Sequence, residues 1–241
     1  MKIPLLLIAA LPLAAGDFET FTDNALNYTQ RNAACAALKG NRSPEVVMAF
    51  RGALDNAALQ SCAAAGLRAA GASAELLSAL QTDNDPGARA AAARELGTMQ
   101  KAEFLPVLRA GAQDRDILVV TNAIEGLMRY EDHSSAPQLR EVALLGGMQA
   151  TLALDILIDW HDPAVIEIGR KLMDSQEPAD QLIGIRAAGL AGDASDLPRL
   201  KALMKDDMQL NSGSRGFGLM PAISLARAAR TALENIEKRP S

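Results

Sequence analysis

The sequence predicts an all-α fold, a right-handed α-solenoid of stacked helical hairpins, on three observations. An apolar pair spaced three residues apart recurs along the chain every 29 to 32 residues. Each recurrence is followed by a short turn and a second apolar stretch, often with proline near its start. Alanine is abundant and aromatics make up only 3% of the 241 residues. That balance favours closely stacked helices, because alanine has the best helix propensity and lets backbones approach. Runs alternating β-branched or aromatic residues with polar ones are scarce, so strands have little support.

The anchor pairs are Cys35/Leu38, Leu67/Ala70, Leu96/Met99, Leu127/Tyr130, Leu157/Trp160 and Ala187/Leu190. Four residues before the anchor stands a small residue in most units: Ala63, Ala92, Ala123 and Ala153. Spacing of i, i+4 and i+7 places all three on one helical face. The second helices open at Leu105-Pro106-Val107-Leu108, Ala136-Pro137-Gln138-Leu139 and Leu197-Pro198-Arg199-Leu200. Proline fits a helix's first turn, where its missing N–H would have no partner anyway. Neither helix of a pair can bury its apolar face alone, so successive pairs must stack.

One step breaks the period. From Ala187 to the next good pair, Leu233/Ile236 with Ala229 before it, the chain runs 46 residues. The excess is an inserted loop, 208–220, whose Ser, Gly and Asn content cannot continue a helix. The last unit lacks its second helix, and 238–241 reads as a disordered tail. Residues 17–237 thus hold about seven units.

The run Asp85-Pro86, then Arg89, Ala92 and Leu96, resembles the HEAT-repeat signature, in particular the subtype named after phycobilisome lyases. The periodic pattern covers residues 20–237 and is closest at 85–115 and 177–207, where Glu177-Pro178 replaces Asp-Pro. The resemblance implies the solenoid fold. It says little of function, because HEAT arrays serve unrelated partners.

The first residues bear on compartment. Lys2 precedes an apolar run from Ile3 to Ala15, small residues follow at Ala14, Ala15 and Gly16, and polarity returns at Asp17. That order is a secretory signal peptide, residues 1–16, and makes the chain a secreted bacterial or periplasmic member of the family it resembles. The run is shorter than the roughly 20 residues a membrane span needs, so no span is expected after cleavage. The formal net charge of −5 argues against a general nucleic-acid binder. Cys35 and Cys62 are the two cysteines. In an oxidising compartment such a pair forms a disulfide, the alternatives being two buried thiols or a reactive cysteine.

Four cations recur at one repeat position on the second helices: Arg109, Arg140, Arg170 and Lys201. Asp132, Asp162 and Asp193 lie eight residues before the last three. This pattern reads either as a structural ladder of turn carboxylates and cations or as a cationic stripe for an acidic partner. In the inserted loop, Arg215 and Phe217 are candidate partner contacts, against a plain flexible insertion. His133 and His161 are too few for a metal site, which needs three or four converging ligands. Asp132-His133-Ser134 are neighbours in sequence, whereas a catalytic triad is a spatial arrangement. Asp162 and Ser134 or Ser135 read as helix caps, and Trp160 as a core residue.

These readings combine into a monomeric, non-catalytic module that binds an unidentified protein partner through the concave helix face. No cofactor, metal or nucleic acid is expected. The alternatives are a lyase-like enzyme, by analogy with the repeat subtype, and a purely structural envelope spacer.

Overall fold

The computed structural model describes residues 16–131, 133–205, 209–210 and 223–239. Residues 1–15 of the expected signal peptide, Asp132, Arg215, Phe217 and the last two tail residues lie outside the described residues. The chain divides into two compact units, Met1–Val107 and Leu108–Ser241.

The first unit begins with a short helix, α1 (Asp17–Thr22). Two hairpins follow, α2 (Tyr28–Ala37) with α3 (Pro44–Ala53) and α4 (Gln60–Ala70) with α5 (Ser73–Thr82). Next comes α6 (Pro86–Met99), and α7 (Leu105–Gly111) starts at the boundary. The second unit holds α8 (Ile117–Tyr130) with α9 (Ala136–Leu144) and α10 (Gly147–Asp159) with α11 (Ala164–Met173). It ends with α12 (Pro178–Ala191), α13 (Leu197–Leu203) and α14 (Leu225–Glu237). The predicted succession of hairpins is therefore present, and the fold is all-α and of the solenoid class. One local difference falls at the insertion. Gln209–Leu210 (β1) and Ile223–Ser224 (β2) pair antiparallel, Gln209 opposite Ser224 and Leu210 opposite Ile223.

Local chemistry explains the helix ends. Asn27, Asp85, Asp116 and Ser224 accept hydrogen bonds from backbone N–H groups in the first turns of α2, α6, α8 and α14. Such caps satisfy donors that have no partner within the helix. Pro106, Pro137 and Pro198 occupy first turns, as the sequence predicts, and Pro86 and Pro178 do the same on α6 and α12. Arg89 of the Asp-Pro-x-x-Arg run is buried and donates to the carbonyls of Asp83 and Asn84 at 3.0 and 3.2 Å. It thereby ties down the turn in front of its own helix. At the other end, the residue four past the anchor is left-handed in four successive units: Gly71, Gln100, Glu131 and His161, with φ between 49° and 76°. His161 stands where the chain must reverse after α10.

The anchors Cys35, Leu67, Leu96, Leu127, Leu157 and Ala187 are all fully buried, as are the small residues Ala63, Ala92, Ala123 and Ala153. The position three past the anchor behaves otherwise. Leu38 and Ala70 are buried, Met99, Tyr130 and Trp160 are half-buried, and Leu190 is exposed. Trp160 is thus not a core residue, because it ends its helix at the rim of the stack. Cys35 on α2 and Cys62 on α4 form a disulfide that ties neighbouring first helices, their Cα atoms 6.3 Å apart. In the second unit α11 and α12 cross where Gly169 and Gly184 meet. No helix among the described residues is long and apolar enough to cross a membrane.

Candidate partner-binding face

The four cations occupy one position on α7, α9, α11 and α13, and three of them reach forward into the turn of the next hairpin. Arg109 donates from Nε to Ser135 Oγ at 2.9 Å and from Nη2 to Ser134 Oγ. Arg140 grips Asp162 with two bonds, Nε to Oδ1 at 3.0 Å and Nη2 to Oδ2 at 2.7 Å. Arg170 donates from Nε to Asp196 Oδ1 and from Nη2 to Ser195 Oγ, both at 2.7 Å. Its Nη2 also reaches Asp193 at 3.2 Å. Lys201 is exposed and pairs with no carboxylate among the described residues.

The ladder is present, but its rungs run differently from the eight-residue spacing. Asp162 pairs with Arg140 of the preceding hairpin instead of with Arg170, and Asp193 with Arg170 instead of with Lys201. Six residues of α11 carry Arg170 about 9 Å along the axis from the start of that helix. Stacking meanwhile brings the preceding second helix alongside the turn. The rung omitted by the spacing is Asp196, a buried carboxylate that also accepts from the Asp193 backbone N–H. Its signal was the Asp-x-x-Asp spacing after α12, which closes a reciprocal capping box around a short 3-10 turn. The N-cap of α11 is Pro163 instead of Asp162, which stands one residue before it and accepts from Ala164 N–H at 2.9 Å. Ser135 sits at the N-cap of α9 without a side-chain cap bond, its hydroxyl being turned to Arg109.

These contacts move the carboxyls. Desolvation pushes Asp162 upward, but the Arg140 hydrogen bond, the Ala164 N–H and the Arg140 charge together outweigh it and hold the carboxyl below its ordinary value. Asp193 is lowered by the Ser195 hydroxyl and backbone N–H, with Arg170 adding to them. The guanidinium of Arg140 is raised by the same hydrogen bond to Asp162. A carboxyl held below its unfolded value stabilises the fold fully above that value, 3.8 for Asp162, and the contribution fades as pH falls through the folded value. Replacing Asp162 with Asn should therefore cost about 1 kcal/mol at pH 7, the modest figure for a bidentate pair whose arginine is partly solvated. Urea melts at pH 7 and pH 3 should show the gap from the natural protein shrinking in acid. A gap absent at pH 7 would show that the rung adds no stability, and one equal at both would show that the carboxylate charge adds none.

His133 stacks its ring on Trp160, centroids 4.8 Å apart and planes 17° from parallel. No group of three or more His, Cys, Asp or Glu side chains among the described residues is placed to hold a metal ion.

A different surface feature was missed in the sequence. Leu118 at the start of α8 and Met148 at the start of α10 both fall nine residues before their anchors, Leu127 and Leu157. Both are exposed, as is Leu145 in the turn before α10, the latter two by 75% or more. Ile117 and Leu144 flank them and are also exposed. Because α8 and α10 are stacked neighbours, equal register sets Leu118 and Met148 about 10 Å apart. The result is an apolar ridge along the turns between hairpins. Its one signal in the sequence was a shared register nine residues before the anchor.

Residues 73–146 match the family model described as HEAT repeats. No curated protein matches the sequence. Among solved structures, the chain is similar to human deoxyhypusine hydroxylase in complex with glycerol, at 19% identity over 92% of this chain and 95% of that one, with a TM-score of 0.42. It is also similar to an engineered protein, at 17% identity over 93% of this chain and 68% of that one, with a TM-score of 0.45. The likeness to HEAT repeats thus rests on the matched segment 73–146, which runs from α5 to the turn after α9 and contains the Asp85-Pro86 start of α6.

Proposed function

We propose that this chain is a non-catalytic binding module of the periplasm or cell envelope, and that it holds a protein partner on the ridge formed by Leu118, Leu145 and Met148. A HEAT-like helical scaffold supports such a role, and the ridge is the observation that carries it. Single exposed apolar side chains are ordinary, but several at or beside one repeat register on stacked helices favour an interaction surface. Of the second-helix cations, first candidates for this task, Arg109, Arg140 and Arg170 are engaged in holding hairpins together, which leaves Lys201 to add a polar contact. The leader at residues 1–16 supports export, and export suits a chain whose two cysteines are joined.

The ridge can be tested without disturbing the core. Leu145→Glu with Met148→Glu should change stability by no more than about 0.5 kcal/mol each, as exposed substitutions do. Cross-linking in intact cells followed by purification should recover a partner with the natural protein and lose it with the double variant. Recovery of the same partner with both proteins would refute the ridge. Sequencing the amino terminus of the native protein should find Gly16 or Asp17 first, whereas a chain beginning at Met1 in the cytosol would refute export.

A further inference from the structure

The second unit contains a groove of about 570 Å³ between α12 and α14, remote in register from the ridge. Its floor is built from Leu182, Ile185, Ala228 and Ala232. The groove exists because both helices carry small residues where they meet. A Cβ added at Gly189 would lie 3.0 Å from Ala232. Close backbones with little side-chain volume leave a trough on the outer side, and Leu190 stands half-exposed on its rim. From Leu182 to Leu190 the trough runs about 12 Å along α12, the length of an extended chain of roughly ten carbons.

Charge on the rim is one-sided. The lining includes Arg186 and Arg227 and no carboxylate, in a chain with 29 acidic and 24 basic side chains. Arg186 is held by Asp155 at 2.7 Å, which fixes its position beside the trough. Arg227 is exposed on the first turn of α14 and pairs with no carboxylate among the described residues. The remaining polar groups, Ser224, Thr231 and Asn235, lie on the α14 side. The volume falls in the range of small-molecule sites, which combine apolar walls with a few placed polar groups.

We infer that this groove binds a single-chain carboxylate amphiphile, its alkyl chain on the Leu182–Leu190 face and its carboxylate at Arg227. An arginine fork suits a carboxylate, accepting it with two parallel hydrogen bonds. The apolar walls set the chain, and the cation sets the sign of the head group.

Titration calorimetry of the full chain with dodecanoate, kept below its micelle concentration, tests this directly. Saturable one-to-one binding is expected, with dodecyltrimethylammonium bound at least about tenfold more weakly, the equivalent of 1.4 kcal/mol. Arg227→Glu should weaken dodecanoate about tenfold while leaving the melting temperature unchanged. Ala228→Phe should fill the trough and abolish binding; if it unfolds the protein, Leu190→Glu at the exposed rim takes its place. Absence of dodecanoate binding, equal affinity for the two head groups, or binding that survives either substitution overturns the assignment. None of these results bears on the ridge, whose partner is tested separately.

Discussion

Replacing Gly184 with alanine is expected to destabilise the second unit by about 3 kcal/mol, the upper end of what overpacking usually costs. A Cβ at Gly184 would lie 2.5 Å from Met173 N, 2.6 Å from Gly169 O and 2.9 Å from Leu172 C. All three are backbone atoms of α11, so no side chain can swing aside. The two helices must separate, and separation opens voids around Ile168, Leu172 and Ile185, which are buried nearby. Helix propensity alone argues the other way, because alanine in a helix interior is favoured over glycine by about 1 kcal/mol. Gly52 on α3 supplies the control, since a Cβ there meets nothing within 4 Å. Gly52→Ala should therefore raise stability by about 0.5–1 kcal/mol. Urea midpoints of the two variants should move in opposite directions. A neutral Gly184→Ala would mean that α11 and α12 do not cross at this contact.

The contrast between those two glycines shows what could be read from sequence. Both are glycines inside helices, and nothing within their own helix separates them. Only the partner helix does, and partner contacts between residues far apart leave no local signal. The anchor pairs were legible because burial on one helical face repeats with the hairpin, so Leu96, Leu127 and Leu157 announce themselves by period. The insertion was legible for the same reason, as a break in that period. The cation ladder was visible as a column but not in its pairing, because spacing along the chain cannot tell whether a turn carboxylate serves its own hairpin or the one before. Asp162 and Arg140 are joined by stacking across 22 residues. Trp160 shows the converse error: a large apolar side chain at a core register is placed at the rim, where it covers His133. The α12–α14 groove lies beside the close contact of Gly189 with Ala232, and a pattern of apolar residues along the chain does not display which faces of two helices leave a trough.

The second large effect belongs to the first unit. Replacing both Cys35 and Cys62 with alanine should cost about 3.5 kcal/mol in the chain-entropy account, given their sequence separation of 27. The loss should be confined to the unit formed by Met1–Val107. Its first hairpin depends on the bridge for a physical reason. Helix α2 is only 10 residues long, with Ala34, Cys35 and Arg31 as its buried residues. Short helices of that kind are not stable alone and need tertiary contacts. The bridge fixes α2 against α4 at the centre of this small face, beside Ala34 and Ala63, both buried. Hydrogen exchange should accordingly show amides of α2 losing protection in the double variant while those of α10 to α12 keep theirs. Reducing agent added to the natural protein should reproduce the pattern. The same bond gives a readout of compartment, because disulfides persist in oxidising surroundings and are rare where thiols are kept reduced. Alkylation of intact cells before lysis should leave Cys35 and Cys62 unlabelled if the protein is exported. Labelling of both, with α2 equally protected in the natural and variant proteins, would remove the bridge from any account of stability and leave the leader without support.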